Sequence, residues 1–190
     1  MSGAMKCSLT QTLLTAALLL AAAAALSCSD PAGPGEFDAL GDPSGYFQTS
    51  STGYRFEKEE HGATGAIAFS YTNTTGATIF PAGCRGLVPP ALEKLVDGEW
   101  VRAWTPIALR CGATPIPIAP GATYTNTLEV WGAWHDEEKY GPNFEVAEVE
   151  GRYRLLWLQV YESFDPDSGP GPQIAEELRI SNEFVIELAE

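Results

Sequence analysis

The residues able to carry acid–base chemistry are few and scattered. His61 and His135 are the only imidazoles in the 190-residue chain, and both stand in polar, turn-like sequence. Nucleophilic hydrolysis needs a base held beside a serine or cysteine, and no serine occupies a Gly-x-Ser-x-Gly setting. Surface histidines are the expectation, with no catalytic residue, no enzyme activity and no cofactor. Twenty-five Asp and Glu residues could supply a carboxylate pair, yet nothing singles out two of them. Asp165, Asp167 and Ser168 (FDPDSGPG) bring hard oxygens together as calcium would require. Their spacing matches no EF-hand, so a solvated acidic loop is expected and no metal site. Residues 131–144 (WGAWHDEEKYGPNF) set Trp131, Trp134 and Tyr140 beside Asp136, Glu137 and Glu138. Exposed rings next to carboxylates suit a sugar-binding or protein-binding patch, because aromatic area comes at little conformational entropy. The alternative is that these rings close one end of the fold.

Charge removes one class of partner. Eleven basic residues against 25 acidic ones give a formal net charge of −14. Nucleic acid and anionic head groups are bound by clustered Lys and Arg, so no nucleic-acid partner is expected.

The amino terminus carries the most specific chemistry. MSGAMK bears one positive charge, and the chain is then uncharged to Ser27 and almost wholly apolar from Leu13 to Leu26. A charged start, an apolar middle and a small-residue end define a secretory signal over residues 1–27. It ends Ala25-Leu26-Ser27-Cys28, which resembles the lipobox of bacterial lipoproteins. The resemblance implies that the Cys28 thiol takes a diacylglyceryl group and that the leader is cut just before it. Ser27 supplies the small residue this needs, whereas the usual leucine three places before the cysteine is replaced by Ala25. Two alternatives stay open: cleavage after Ala23-Ala24-Ala25, and an uncleaved apolar anchor close to the ~20 residues that span a bilayer. Ser29 is compatible with outer-membrane sorting if the cell is diderm. The expected location is the cell envelope, with the membrane as partner through the lipid.

Of the remaining cysteines, Cys7 lies inside the leader. Cys84 and Cys111 stay in the exported body, where oxidising conditions favour a disulfide; two buried free thiols are the alternative. Their spacing fits no zinc pattern.

Residues 28–53 are rich in Pro, Gly, Ser and Asp and read as a flexible tether, in which Phe37, Leu40, Tyr46 and Phe47 are apolar enough to dock. The body, 54–190, reads as strands. Ile67, Phe69 and Tyr71 alternate with small residues, the period of a strand with one apolar face. Asp97-Gly98 between Ala91–Val96 and Glu99–Trp104 marks a two-residue hairpin, with Leu92-Lys94-Val96 and Trp100-Arg102-Trp104 as same-face sets. PIPIAP (115–120) is an edge or a crossing, since proline removes a ladder donor. In Ala122–Trp131 the parity of Tyr124, Leu128 and Val130 is apolar and the other carries threonines. GRYRLLWLQVY (151–161) is apolar on both parities, hence central, and Phe184 and Ile186 point inward from a closing strand. Ala175–Arg179 allows one helical turn. These segments predict an antiparallel β-sandwich of about 7–9 strands, with a barrel as the alternative.

Three stretches, ALEKLVDGEWV, IAPGATYTNTLEVW and GRYRLLWLQVY followed by SNEFVIE, resemble the Ig-like domains of bacterial lipoproteins and the fold of bacterial intracellular proteinase inhibitors. The resemblance implies an Ig-like sandwich over roughly residues 60–190. It carries over no inhibitory residue, because no reactive-site motif is present. The expected function is a non-enzymatic binding or structural module at the envelope, with a protease inhibitor or a carbohydrate-binding surface domain as alternatives.

Overall fold

Alternating burial shapes the two longest strands. In β3 (Gly62–Thr72) the side chains of Ile67, Phe69 and Tyr71 are buried, and in β7 (Thr123–Ala133) those of Leu128 and Val130 are. The two strands pair antiparallel along their whole length, from Gly62 opposite Ala133 to Thr72 opposite Thr123. The computed structural model describes residues 46–83, 88–107, 114–137 and 141–189. Among them the chain is all-β, with twelve strands and a single 3-10 turn at Glu176–Arg179.

The other main strands are β1 (Phe47–Thr49), β2 (Gly53–Glu59), β5 (Ala91–Val96), β6 (Glu99–Trp104), β8 (Gly151–Leu156) and β12 (Ile180–Ala189). With β3 and β7 they join in one hydrogen-bonded path. β3 divides its second edge, giving residues 69–71 to β1 and residues 62–64 to β2. β2 then runs parallel to β12, Gly53 opposite Val185. β12 pairs antiparallel with β8, β8 with β5, and β5 with β6. The chain after β7 links the two ends of this path. Phe144 donates its amide to Ala133, and Glu145 donates its amide to Ala103 of β6.

The β5–β6 turn follows from its two central residues. Asp97 and Gly98 have φ of 51° and 87°, the left-handed pair that a two-residue hairpin needs to match strand twist. The hairpin departs from strict alternation at its far end. Leu92 faces Trp104 while Glu93 faces Arg102, so Ala103 is an extra, bulged residue. Trp100 and Arg102 therefore share the face of Glu93 and Leu95, and Trp104 turns to the opposite, buried side with Leu92. The expected Trp100-Arg102-Trp104 set is broken by that bulge.

Strand β8 lies between β5 and β12, as its apolar residues on both parities predict, but it stops at Leu156. Beyond it the chain enters a smaller set of pairings: β4 (Phe80–Pro81) with β9 (Val160–Tyr161), and β10 (Phe164–Asp165) with β11 (Gly169–Pro170). Ile118, in the proline-flanked segment, bridges Ile79 beside β4, the edge role expected of PIPIAP.

Apolar side chains from every main strand meet in one core. Its centre is Trp157, whose ring lies 4.6 Å from Tyr71, 5.0 Å from Phe47 and 5.9 Å from Tyr124, centroid to centroid. Each such contact adds about 0.5–1.5 kcal/mol to the burial of the rings themselves. Phe47, an apolar residue of the expected tether, is 1% exposed. Burying a phenylalanine yields about 1.5–3 kcal/mol, enough to fix β1 on β3. Buried stripes from several strands closing on one core are compatible with a β-sandwich.

Candidate functional site

Cys28, Cys84, Cys111 and Tyr140 lie outside the described residues. The structure treats the two tryptophans of the aromatic segment differently. Trp131 is 47% exposed and sits opposite Thr64 in the β3–β7 ladder. Its backbone carbonyl accepts a hydrogen bond from Trp104 Nε1 at 2.9 Å. Gly141 braces its ring: a Cβ there would come within 2.7 Å of Trp131 Cζ3, so glycine permits this close approach. Trp134 packs against the core. It stacks on Phe144 at 6.5 Å and joins the rim of the core, and its Nε1 donates to Glu60 O. Nearby, the exposed His61 places Nδ1 3.1 Å from Glu137 Oε1 and Nε2 3.5 Å from Glu60.

The outer face of β3 and β7 is a second feature. Thr72 and Thr123 hydroxyls lie 2.9 Å apart, which fixes the side to which this parity points. The same face continues through Ser70 opposite Thr125, Ala68 opposite Thr127, Ala66 opposite Glu129, and Thr64 opposite Trp131. Ser50 follows β1 and donates its amide to Ala68 O, so its side chain comes in across the small Ala68. The result is a shallow, open trough of about 450 Å³ floored by Ala68 and edged by Ser50, Ser70, Thr125, Asn126 and Thr127. Among the described residues no charged side chain lines it. Asn126 Oδ1 accepts the Thr127 amide at 2.8 Å, and its Nδ2 donates to Tyr124 Oη. The hydroxyls of Ser70, Thr125 and Thr127 make no hydrogen bond to any described residue.

Charged groups collect on a different face. Glu93 of β5 is 9% exposed and accepts from Arg154 Nε at 2.9 Å and its terminal nitrogen at 2.8 Å, with Arg102 3.7 Å away. The Arg154 guanidinium also covers the Trp100 ring at 4.5 Å, a cation–π contact. These contacts bind β5, β6 and β8 together laterally. Lys94 donates to Glu148 O; burial pulls its ammonium below the usual lysine range, against the opposing pull of Glu148 and Glu150.

The acidic loop is organised by its own backbone. Asp165 Oδ1 accepts the amides of Ser168 (2.9 Å) and Asp167 (2.8 Å), and these bonds hold its carboxyl below the usual range. That oxygen closes the β10–β11 turn, as aspartate does in an Asx-turn.

The trough was not visible as a site in the sequence. The threonine parity of β7 was legible, but only the cross-strand register sets Ser70 and Ala68 beside it, and only the path of β1 brings Ser50.

No family model, curated protein or solved structure matches this chain.

Proposed function

We propose that this chain is an exported, lipid-anchored, non-enzymatic binding module: an Ig-like β-sandwich displayed at a membrane surface through an acylated Cys28. The observation that carries the proposal is Ala25-Leu26-Ser27-Cys28 closing an apolar leader ahead of an all-β body. A thiol at that position, once acylated, contributes about 0.8 kcal/mol for each buried CH₂, so several chains hold firmly where one does not. About eighteen residues separate Cys28 from the first described residue, Tyr46. Fully extended, such a segment reaches roughly 60 Å at most, which allows the body to stand clear of a membrane.

Two features support the Ig-like reading of the all-β body. The first is the route of the amino-terminal strands, from antiparallel pairing with β3 to parallel pairing with the last strand, β12. On the Ig-like reading, β1, β3 and β7 belong to one layer and β12, β8, β5 and β6 to the other, with β2 crossing between them. The second is Tyr153 near the start of β8, whose hydroxyl bonds back to Val149 O, the corner found in Ig-type sandwiches.

Fractionation of cells expressing the full chain tests the anchoring. The Cys28→Ser variant leaves the membrane fraction with its body folded. Retention of that variant in membranes would sink the lipid anchor and favour a retained apolar helix.

A further inference from the structure

We infer that the outer face of β3 and β7 is a binding surface for an uncharged glycan chain, laid along the trough floored by Ala68 and reaching toward Trp131. This inference deepens the binding-module reading and rests on it. It places the site on the sheet face, not on the 134–144 aromatic segment.

The chemistry of the lining argues for the ligand class. The trough presents hydroxyls at Ser50, Ser70, Thr125 and Thr127, with no ionised group among the described residues that line it. Such groups both donate and accept, as sugar hydroxyls do. The hydroxyls of Ser70, Thr125 and Thr127 are uncommitted among the described residues, so a ligand would break no internal hydrogen bond to reach them. Anionic polymers are disfavoured by the net charge of −14, and the residues that β3 and β7 turn to this face include no cation.

Shape argues the same way. Thr125, Thr127, Glu129 and Trp131 succeed each other on one side of one strand, and alternate residues advance by about 6.8 Å. From Thr125 to Trp131 the row is about 20 Å long. A straight row of two hydroxyls, the Glu129 carboxylate, which accepts hydrogen bonds as sugar hydroxyls donate them, and a terminal ring suits an extended polyhydroxylated chain better than a compact solute. Trp131 is one of only two large apolar side chains exposed among the described residues. Gly141 lies close to one edge of its ring, and the exposed ring offers a flat apolar surface at the end of the row.

Affinity electrophoresis of the detergent-solubilised full chain tests this. The gels contain hydroxyethyl cellulose, a neutral galactomannan or polygalacturonate. Retardation is expected in at least one neutral gel and not in polygalacturonate. Thr125→Val with Thr127→Val removes two hydroxyls at nearly constant shape, and about tenfold weaker retardation is expected. Trp131→Ala weakens it similarly, and Ala68→Leu, which fills the trough, abolishes it. Ile107→Ser removes the other exposed apolar side chain and leaves retardation unchanged. Equal retardation in polygalacturonate, none in any gel, or retardation insensitive to the threonine pair would each overturn the inference. Ile107→Ser matching Trp131→Ala would overturn it too, by showing nonspecific adhesion. The anchoring reading fails separately: an anchored chain that is not retarded sinks only the glycan site, and a retarded chain whose Cys28→Ser variant stays in membranes sinks only the lipid.

Discussion

The hydroxyl of Tyr153 donates a hydrogen bond to the carbonyl of Val149, four residues earlier, where both residues are shut away from solvent. The bond pins the chain as it enters β8, and Tyr153 stacks on Phe184 of β12 at 6.2 Å. Tyr153→Phe keeps the ring and leaves the Val149 carbonyl buried without its partner. An unmet buried acceptor costs about 1–3 kcal/mol, so a thermal melt of the variant should fall by roughly 3–10 °C. An unchanged melt would mean that Val149 is satisfied some other way.

Alkaline pH should weaken the fold. Burial pushes the Tyr71 hydroxyl up to about 12, with the nearby Tyr46 adding to the shift, and burial raises Tyr153 as well. The ordinary tyrosine value is 10.0. Below it the folded and unfolded chains both keep these protons, and the stability is intact. Between about 10 and 12 the unfolded chain releases them while the folded one does not, so stability falls as pH rises. Denaturant midpoints measured across that window should decline, and tyrosinate absorbance should rise abruptly with unfolding. A midpoint constant to pH 12 would contradict the burial of Tyr71.

The Glu93 cluster makes the opposite kind of claim, that a charge is needed. Glu93→Gln leaves Arg154 and Arg102 facing each other without the carboxylate between them. Breaking a fully buried pair costs about 3–5 kcal/mol and an exposed one under about 1 kcal/mol. For this partly buried group a loss of roughly 1–3 kcal/mol is expected by urea denaturation. Arg154→Met, which removes the cation and keeps apolar bulk over Trp100, should cost less than Arg154→Ala. Equal losses would assign Arg154 no packing role.

Gly65 tests the inner face of β3. A Cβ there would approach the Phe56 ring to 2.1 Å, and Phe56 is fully buried. Gly65→Ala therefore requires the ring or the strand to move, at about 1–3 kcal/mol. A neutral outcome by the same denaturation assay would show that the β2–β3 contact has slack.

Cys84 and Cys111 give a prediction from sequence alone. Joined, they close a loop of about 28 residues, for which chain entropy gives about 3–4 kcal/mol. Reducing agent should lower the melting temperature by several degrees, and an unchanged melt would show that the two are not joined.

What could be read from the sequence was local. Asp97-Gly98 declared its turn because two adjacent positive φ values leave few residue choices. The parities of Phe69 and Leu128 declared their faces because strand side chains alternate. Three features were hidden because each depends on residues distant in sequence. The Ala103 bulge is set by what Leu92 and Glu93 oppose, and nothing in EWVRAW marks it. The parallel pairing of Gly53 with Val185 joins the two ends of the body. GRYRLLWLQVY reads as one strand, yet it breaks after Leu156, where Trp157 turns into the aromatic core and donates its Nε1 to Val88 O. The site divides the same way. Trp131 stood out by type and setting, whereas the trough beside Ala68 exists only through the register of β3 against β7 and the arrival of Ser50.

The most direct test of the whole account is the mass of the amino-terminal peptide from chain purified out of membranes. The account predicts a peptide that starts at Cys28 and carries the added mass of a diacylglyceryl group. A peptide starting at any other residue, or an unmodified Cys28, would contradict it.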